Sequence, residues 1–312
     1  MCLVQNILII IILKKMDDKN FFVTILLPSY NEVEAISHVI GEVDKAMSNT
    51  AYQYEILVID DNSSDRTVAV VESLMNENNK IRLIKRKING GSGVSRKTGL
   101  LNAKGDIIVM IDADGTYNAA DIPKLLEYFP EYDQVNGARI SEEGTYKLLR
   151  FSAKWLIRQL AVYLSGYKIP DLNTGLKAFK KEIMLKYLWV IPDGFSCVTT
   201  MTLAFLTNGY NVKYIPTRYF KRVGKSKFHP FKDTAKYFQT VLRMIIYFNP
   251  LKFFLPSASF ILVSGLAWMG YTLYFFDFKI HASQIIMIVV AIQLYVFGFL
   301  ADLIVSTTKR NL

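Results

Sequence analysis

Asp112-Ala113-Asp114 closes a short apolar run, and two carboxylates at this spacing can hold a hard dication through oxygen. In extended backbone, residues i and i+2 project to the same side, so both acids would face one ligand. Mg²⁺ suits such a pair, because it takes one or two carboxylates and completes its shell with substrate phosphates and water; Mn²⁺ suits it equally. A second acidic pair, Asp60-Asp61, ends an earlier apolar run. Capping the next helix does not need both acids when Ser63, Ser64 and Asp65 are at hand, so one can accept hydrogen bonds from a nucleobase or ribose. Asn89-Gly90-Gly91-Ser92-Gly93 could fold as a nest of backbone N–H groups near phosphates or ribose. It is not the dinucleotide fingerprint, since Arg96 stands where a third glycine is required. Gly224-Lys225-Ser226 has the tail of a P-loop, but Tyr219 takes the place of the upstream glycine. Both mismatches argue against a dehydrogenase and a P-loop ATPase. The dense basic loop Lys221-Arg222-Val223-Gly224-Lys225-Ser226-Lys227 can attract anionic headgroups, at about 1 kcal/mol per basic residue. It can also clamp a diphosphate leaving group, and its central Gly and Ser favour that closed, specific loop.

These groups need a scaffold that brings them together. Phe22–Leu27, Glu55–Ile59, Ile81–Ile84 and Asp106–Ile111 are short apolar runs rich in β-branched residues, and they read as strands. Helical stretches lie between them: from Asn31-Glu32 through Met47, from the Ser63-Ser64-Asp65 caps to about Asn78, and from the glycine-rich loop to Ala103. The alternation implies an α/β domain with a mainly parallel sheet covered on both faces. In such sheets ligands bind beyond the carboxyl ends of the strands, so the clusters after strands one, two and four would meet in one crevice.

The 312 residues carry a formal net charge of +10, which fits nucleic acid, anionic membranes or phosphorylated substrates. Placement decides among them. No charge occurs from Phe253 to Phe276 or from Ala282 to Ala301, and each stretch is long enough to span a bilayer as a helix. Lys and Arg precede the first span, and Lys309 and Arg310 follow the second, so the positive-inside rule puts both ends in the cytoplasm. Phe231–Phe248 has apolar residues at helical spacing and reads as an amphipathic helix on the membrane surface. The apolar run Asn6–Leu13 is too short to span, which points to Met16 as the start or to a dispensable extension. Two cysteines and three scattered histidines make no structural metal spacing, and no nucleic-acid motif occurs.

The ordered set Leu27-Pro28-Ser29-Tyr30-Asn31-Glu32, Val58 to Asp65, Asp112-Ala113-Asp114, Asp171-Leu172-Asn173-Thr174-Gly175 and Arg222 to Lys227 resembles the dolichol-phosphate mannose synthase and polyprenyl-phosphate hexosyltransferase family. The likeness covers roughly residues 22 to 230, and the C-terminal spans suit members with their own anchor. It implies a GT-A nucleotide-sugar-binding domain and inverting transfer. Pro28, Tyr30, Glu32, Asp60 and Asp61 would line the nucleoside pocket. Asp112 and Asp114 would hold Mg²⁺ or Mn²⁺ against the donor diphosphate. Arg139 matches an arginine near the acceptor phosphate, and Asp171 an acid of the active-site region. Arg222 or Lys221 would contact the diphosphate, with Ser226 and Lys227 in the same loop. Two departures stand out. Thr116 replaces a frequent Gln, so water or the Thr hydroxyl takes that ligand's place, and the nearest lipid-phosphate candidates are Lys147, Arg150 and Ser152.

The resemblance makes a nucleotide-sugar the donor and a polyprenyl phosphate the acceptor, with no nucleic acid involved; homo-oligomers stay open. An acceptor phosphate is already an oxyanion, so single displacement needs no general base. The main alternative adds a sugar to a hydroxyl of a lipid-linked saccharide or polymer, with Asp171 as base. The expected organisation is an apolar extension (1–15), a cytoplasmic GT-A domain (16–230), an interfacial helix (231–252), a transmembrane hairpin (253–306) and a cytoplasmic tail (307–312).

Overall fold

The structure is a computed structural model that describes residues 21–140, 158–159, 161–163, 166–194, 196–220, 239, 242–243, 246–275 and 280–310. Residues 1–15, Met16, Lys147, Arg150, Ser152, Lys221, Arg222, Ser226 and Lys227 lie outside the described residues. Two compact units make up the chain, Met1–Phe238 and Gln239–Leu312.

The first unit is built on a seven-stranded sheet. Strands β1 (Val23–Ser29), β2 (Tyr54–Asp60) and β4 (Ile107–Met110) are apolar runs, and β2 and β4 are buried along their whole length. Strands covered on both faces belong at the centre of a parallel sheet. β1 pairs in parallel with β2 on one side and β4 on the other, and β3 (Ile81–Lys85), buried only at Ile81, forms the edge beside β2. The other half holds β5 (Gln134–Arg139), β6 (Lys177–Lys180) and β7 (Val212–Thr217), in the order β3-β2-β1-β4-β6-β5-β7. The mainly parallel expectation holds with one exception that matters. β6 runs antiparallel to both β4 and β5. Its first residue, Lys177, therefore lies beside Met110 at the end of β4. The loop that feeds β6, residues 171–176, is thus delivered to the carboxyl edge of the parallel strands.

Helix α1 (Ile36–Ser48) buries Ile36, Val39, Ile40, Val43 and Met47, one stripe at helical spacing. It begins later than the sequence suggests, because Asn31 adopts a left-handed conformation (φ 51°) that helices do not continue through. Helix α2 (Thr67–Glu77) follows Asp65, whose Oδ1 accepts from the Thr67 N–H at 2.9 Å. Ser63 and Ser64, expected as further caps, bond instead to the loop after β1. Helix α3 (Ser92–Asn102) lies so near β1 that a Cβ on Gly99 would overlap the Leu26 side chain. Helices α4 (Ile122–Leu126), α5 (Lys181–Lys186) and α6 (Cys197–Thr207) complete the described part, and α6 is buried at every position from Cys197 to Leu206.

The second unit contains α7 (Leu251–Phe275) and α8 (Ala282–Arg310). At about 1.5 Å per residue, 25 residues reach about 37 Å, enough for a hydrocarbon layer of about 30 Å with some tilt. α8 continues past the charge-free stretch ending at Ala301, through Asp302, to Arg310. A Cβ on Gly265 would lie 3.2 Å from Met287 Cβ, and one on Gly298 would lie 2.7 Å from Phe254 Cβ, so the two helices approach where side chains are smallest. Ser259 Oγ and the Tyr295 hydroxyl are 2.7 Å apart, and Gln284 Nε2 donates to Thr272 Oγ1 at 2.7 Å. The outward faces stay apolar, with Phe260, Tyr274 and Ile304 exposed. Of residues 231–250 ahead of α7, 239, 242–243 and 246–250 are described; those up to 248 are helical, and Asn249 and Pro250 interrupt the helix before α7.

Lys177 is wholly buried and donates to Val198 O at 2.7 Å and Thr202 Oγ1 at 2.9 Å. Burial away from water pulls its ammonium down to about 7 from the ordinary 10.5. Between those values the unfolded chain binds the extra proton, so stability rises with pH across that window. The expected outcome is a thermal midpoint, measured on detergent-solubilised protein, that climbs by several degrees between about pH 7 and pH 9; Lys177→Met should flatten this slope.

Candidate active site

The loops after β1 and β2 are stitched together by their own polar side chains. Ser63 Oγ accepts from Asn31 N at 2.9 Å, Asn31 Oδ1 accepts from Ser64 N at 2.8 Å, and Thr67 Oγ1 accepts from Glu32 N at 3.0 Å. Asp61 N donates to Ser29 O at 2.9 Å. Pro28, near the end of β1, and Tyr30 and Glu32, on the braced loop after it, are therefore half-buried at the carboxyl edge of the sheet. Asp60 is buried; its Oδ2 accepts from Ser63 N at 2.9 Å and its Oδ1 from Ser63 Oγ at 2.5 Å.

Asp61 reaches the other way. Its carboxylate accepts from Gly90 N at 3.1 Å and Gly91 N at 2.7 Å, and it pairs with Arg86. The glycine-rich loop does form an anion nest, but the anion it holds is Asp61. A carboxylate on the residue just after β2 satisfies N–H groups that were expected to face phosphate or ribose. Gly91 has φ 89°, and Gly93 N donates to Asp193 O at 2.8 Å, with no room for a Cβ against Pro192 O. Both positions require glycine.

Asp112 and Asp114 follow β4 by two and four residues, and both are half-buried. They stand on a turn rather than the extended segment expected, and Gly115 closes it with φ 72°. Thr116 is fully buried; its Oγ1 donates to Asp114 Oδ1 at 2.6 Å and its N at 3.2 Å. Its hydroxyl and N–H thus orient that carboxylate. Asp112 Oδ1 accepts from Arg96 Nη2 at 2.6 Å, while its Oδ2 lies against Gly175, where any Cβ would overlap it. Gly175 N donates to the buried Tyr117 hydroxyl at 2.7 Å. Among the described residues, no three of His, Cys, Asp and Glu gather as a metal set. Two half-exposed carboxylates of hard oxygen fit a dication that draws its remaining ligands from phosphate and water.

Arg139, at the end of β5, grips Asp171 with two prongs, Nε to Oδ2 at 2.7 Å and Nη2 to Oδ1 at 2.9 Å. Asn173 N adds a bond to Oδ1 at 3.0 Å. Burial pushes the Asp171 carboxyl up, but the Arg139 hydrogen bonds and charge, together with the Asn173 and Arg139 N–H groups, outweigh it and hold it below its ordinary value. The Arg139 guanidinium also lies 5.1 Å from the centre of the Tyr219 ring. Tyr219 stacks edge-on against Tyr117, and Phe220 N bonds Thr116 O at 2.8 Å. The Asp112–Asp114 turn and the Arg139–Asp171 pair are therefore joined through Tyr117, Tyr219 and Gly175.

Of the residues singled out in the sequence, Pro28, Tyr30, Glu32, Asp60, Asp61, Asp112, Asp114, Arg139 and Asp171 all fall at this one edge. The sequence reading passed over Arg96 except as a failed glycine, and it gave Gly175 and Tyr117 no role. Arg96 carried one signal: it shares the buried face of its helix with Gly93, Ser95, Gly99 and Leu100, mostly small residues that leave room for a long side chain.

Residues 24–188 match the glycosyl transferase family 2 model, and residues 249–307 match the GtrB C-terminal hairpin. The chain is 28% identical over 302 residues to glycosyltransferase AglJ of Haloferax volcanii, covering 93% of this chain and 96% of that protein. It is 27% identical over 224 residues to a dolichyl-phosphate hexose transferase of the same organism, covering 71% and 93%. The fold resembles glucosyl-3-phosphoglycerate synthase of Mycobacterium tuberculosis, solved with Mn²⁺, UDP and glucosyl-3-phosphoglycerate, at a TM-score of 0.56 and 17% identity over 72% of this chain and 80% of that one.

Gly175→Ala should displace the Asp112 carboxylate. Overpacking of this kind costs about 1–3 kcal/mol, too little to unfold a domain of this size. The expected result is a folded protein by circular dichroism whose transferase activity has fallen by at least about a hundredfold, consistent with misplaced reacting groups.

Proposed function

We propose that this chain, which belongs to glycosyl transferase family 2 and is a glycosyltransferase, moves a hexose from a nucleotide-sugar to the phosphate of a polyprenyl lipid with inversion at the anomeric carbon. The observation that carries the acceptor half is the two-pronged Arg139–Asp171 pair on the same edge as Asp112 and Asp114. A hydroxyl acceptor would need a base, and Asp171 is the nearest candidate for one. Held by Arg139 below the ordinary carboxylate range, it is a weak base. A phosphate acceptor brings its own negative oxygen, and a guanidinium pre-set by a carboxylate is suited to hold it. The relative named for dolichyl-phosphate hexose transfer supports the same acceptor.

In this reading Pro28, Tyr30 and Glu32 frame the nucleoside, and Asp60 and Asp61 keep the loops around it in place. Asp112 and Asp114 hold Mg²⁺ or Mn²⁺ beside the donor diphosphate. When bound, such an ion offsets the charge that develops on the leaving group. Arg139 orients the acceptor phosphate for attack opposite the departing diphosphate. Lys147, Arg150 and Ser152 are proposed on the acceptor side, and Lys221 or Arg222, Ser226 and Lys227 on the diphosphate. Two helices long and apolar enough to cross a membrane, and the hairpin match over 249–307, support a membrane protein. We place the catalytic domain on the cytoplasmic side, where the flanking Lys and Arg of the hairpin would lie.

The direct assay is purified full-length protein with Mn²⁺ or Mg²⁺, a polyprenyl phosphate and a panel of nucleotide-sugars, with the lipid product identified by mass. One sugar should appear on the lipid phosphate, and Asp112→Ala should abolish it; full activity in that variant sinks the assigned role of Asp112. A second outcome concerns pH. With no neutral base at work, kcat/KM should fall as the acceptor phosphate gains a proton near pH 6. A phosphonate acceptor, whose second ionisation lies higher, should shift that inflection upward; an inflection indifferent to the acceptor would point back to an enzyme base.

A further inference from the structure

Arg96 is 5% exposed and enters the site from α3. Its Nη1 reaches Ser92 O at 3.3 Å, the Ser92 hydroxyl and Cys197 Sγ at 3.6 Å. Its Nη2 meets Asp112 Oδ1 at 2.6 Å. A guanidinium this deeply buried is tolerated when a carboxylate answers it, and Asp112 is that carboxylate. The pairing has a second consequence. With Nη2 2.6 Å from Asp112 Oδ1, the guanidinium offsets one of the two carboxylate charges that an incoming dication would meet. A cation is therefore attracted less by Asp112 paired in this way than by the same carboxylate without Arg96, and a diphosphate supplies negative oxygen that makes up the difference.

We propose that Arg96 is a positioning residue that makes cation binding at Asp112 conditional on the donor diphosphate. It holds the Asp112 carboxylate against Gly175 in one orientation and cancels half of the charge that would otherwise capture a free dication. By linkage, the diphosphate and the cation then strengthen each other's binding. The inference rests on the assignment of Asp112 to the metal.

The test is Mn²⁺ titration of full-length protein in detergent, read from the resonance signal of free Mn²⁺, with and without UDP or GDP. In the wild type one of the two nucleotides should tighten Mn²⁺ at least about tenfold. Arg96→Met should bind Mn²⁺ alone about tenfold more tightly than the wild type, and the gain from nucleotide should shrink to less than about threefold. Arg96→Lys keeps the charge and should stay near wild type. A merely structural role would weaken binding with and without nucleotide together. Should Arg96→Met not fold, Arg96→Gln set against Arg96→Lys carries the same comparison. A neutral Arg96 variant that binds Mn²⁺ alone no more tightly than the wild type overturns the proposal. Asp112→Ala separates the two ideas. If it keeps wild-type Mn²⁺ affinity, the metal assignment falls and this inference with it; if it loses that affinity, the Arg96 variants alone decide.

Discussion

Like charges crowd the carboxyl edge of the sheet. Asp60, Asp61, Asp112, Asp114 and Asp171 are all carried there, and unscreened carboxylates in a partly buried site repel one another by several kcal/mol. Asp61, Asp112 and Asp171 are answered by donors from other parts of the chain, and Asp60 and Asp114 by neighbours in their own loops. Asp60 takes the Ser63 N–H and hydroxyl, Asp61 the glycine loop and Arg86, Asp112 the buried Arg96, Asp114 Thr116, and Asp171 the fork of Arg139. The compensation is also the scaffold. Because the donors to Asp61, Asp112 and Asp171 come from other elements, satisfying these acids ties together the segments after β2, β3 and β4, and the end of β5 to the lead-in to β6.

The antiparallel β6 is what lets the second half of the sheet take part. Run parallel, it would carry the Asp171–Gly175 loop to the opposite edge, away from β4. Run antiparallel, it sets Gly175 against Asp112 and Asp171 within reach of Arg139. The opposite edge is handled separately, where Glu55 accepts from Thr24 Oγ1 at 2.7 Å and Lys104 N at 2.8 Å and pairs with Arg82 at 2.5 Å. One edge is thus cross-linked for stability, and the other keeps half-exposed acids.

Much of this was legible in the residues, for a physical reason. Strands buried on both faces must be continuous apolar runs, so β1, β2 and β4 declare themselves, and so do the acids at their ends. The two membrane-length helices are visible on the same ground. What could not be read was pairing at long range. Nothing in Asn89–Gly93 says that its N–H groups turn to Asp61 rather than to phosphate, since either anion satisfies them. The antiparallel entry of β6 depends on which edge of β4 is open, and its four residues have no pattern of their own. Arg96 was hidden because a basic residue on a helix ordinarily faces water, and only the surrounding small residues mark its burial. The start of α1 was misplaced for a local reason: Asn31 tolerates a left-handed backbone that few other residues do.

Polar contacts between α7 and α8 help to set the register of the hairpin. Gln284 donates to Thr272 and accepts from the His281 N–H at 3.0 Å, Ser259 meets Tyr295, and two glycines set the close approach. A buried amide satisfied inside the pair leaves no polar obligation toward a third helix. Such a pair can be acquired or exchanged as a cassette. The contacts that join α7 to α8 lie within residues 251–310, so a different catalytic domain fused ahead of Leu251 would leave them unchanged.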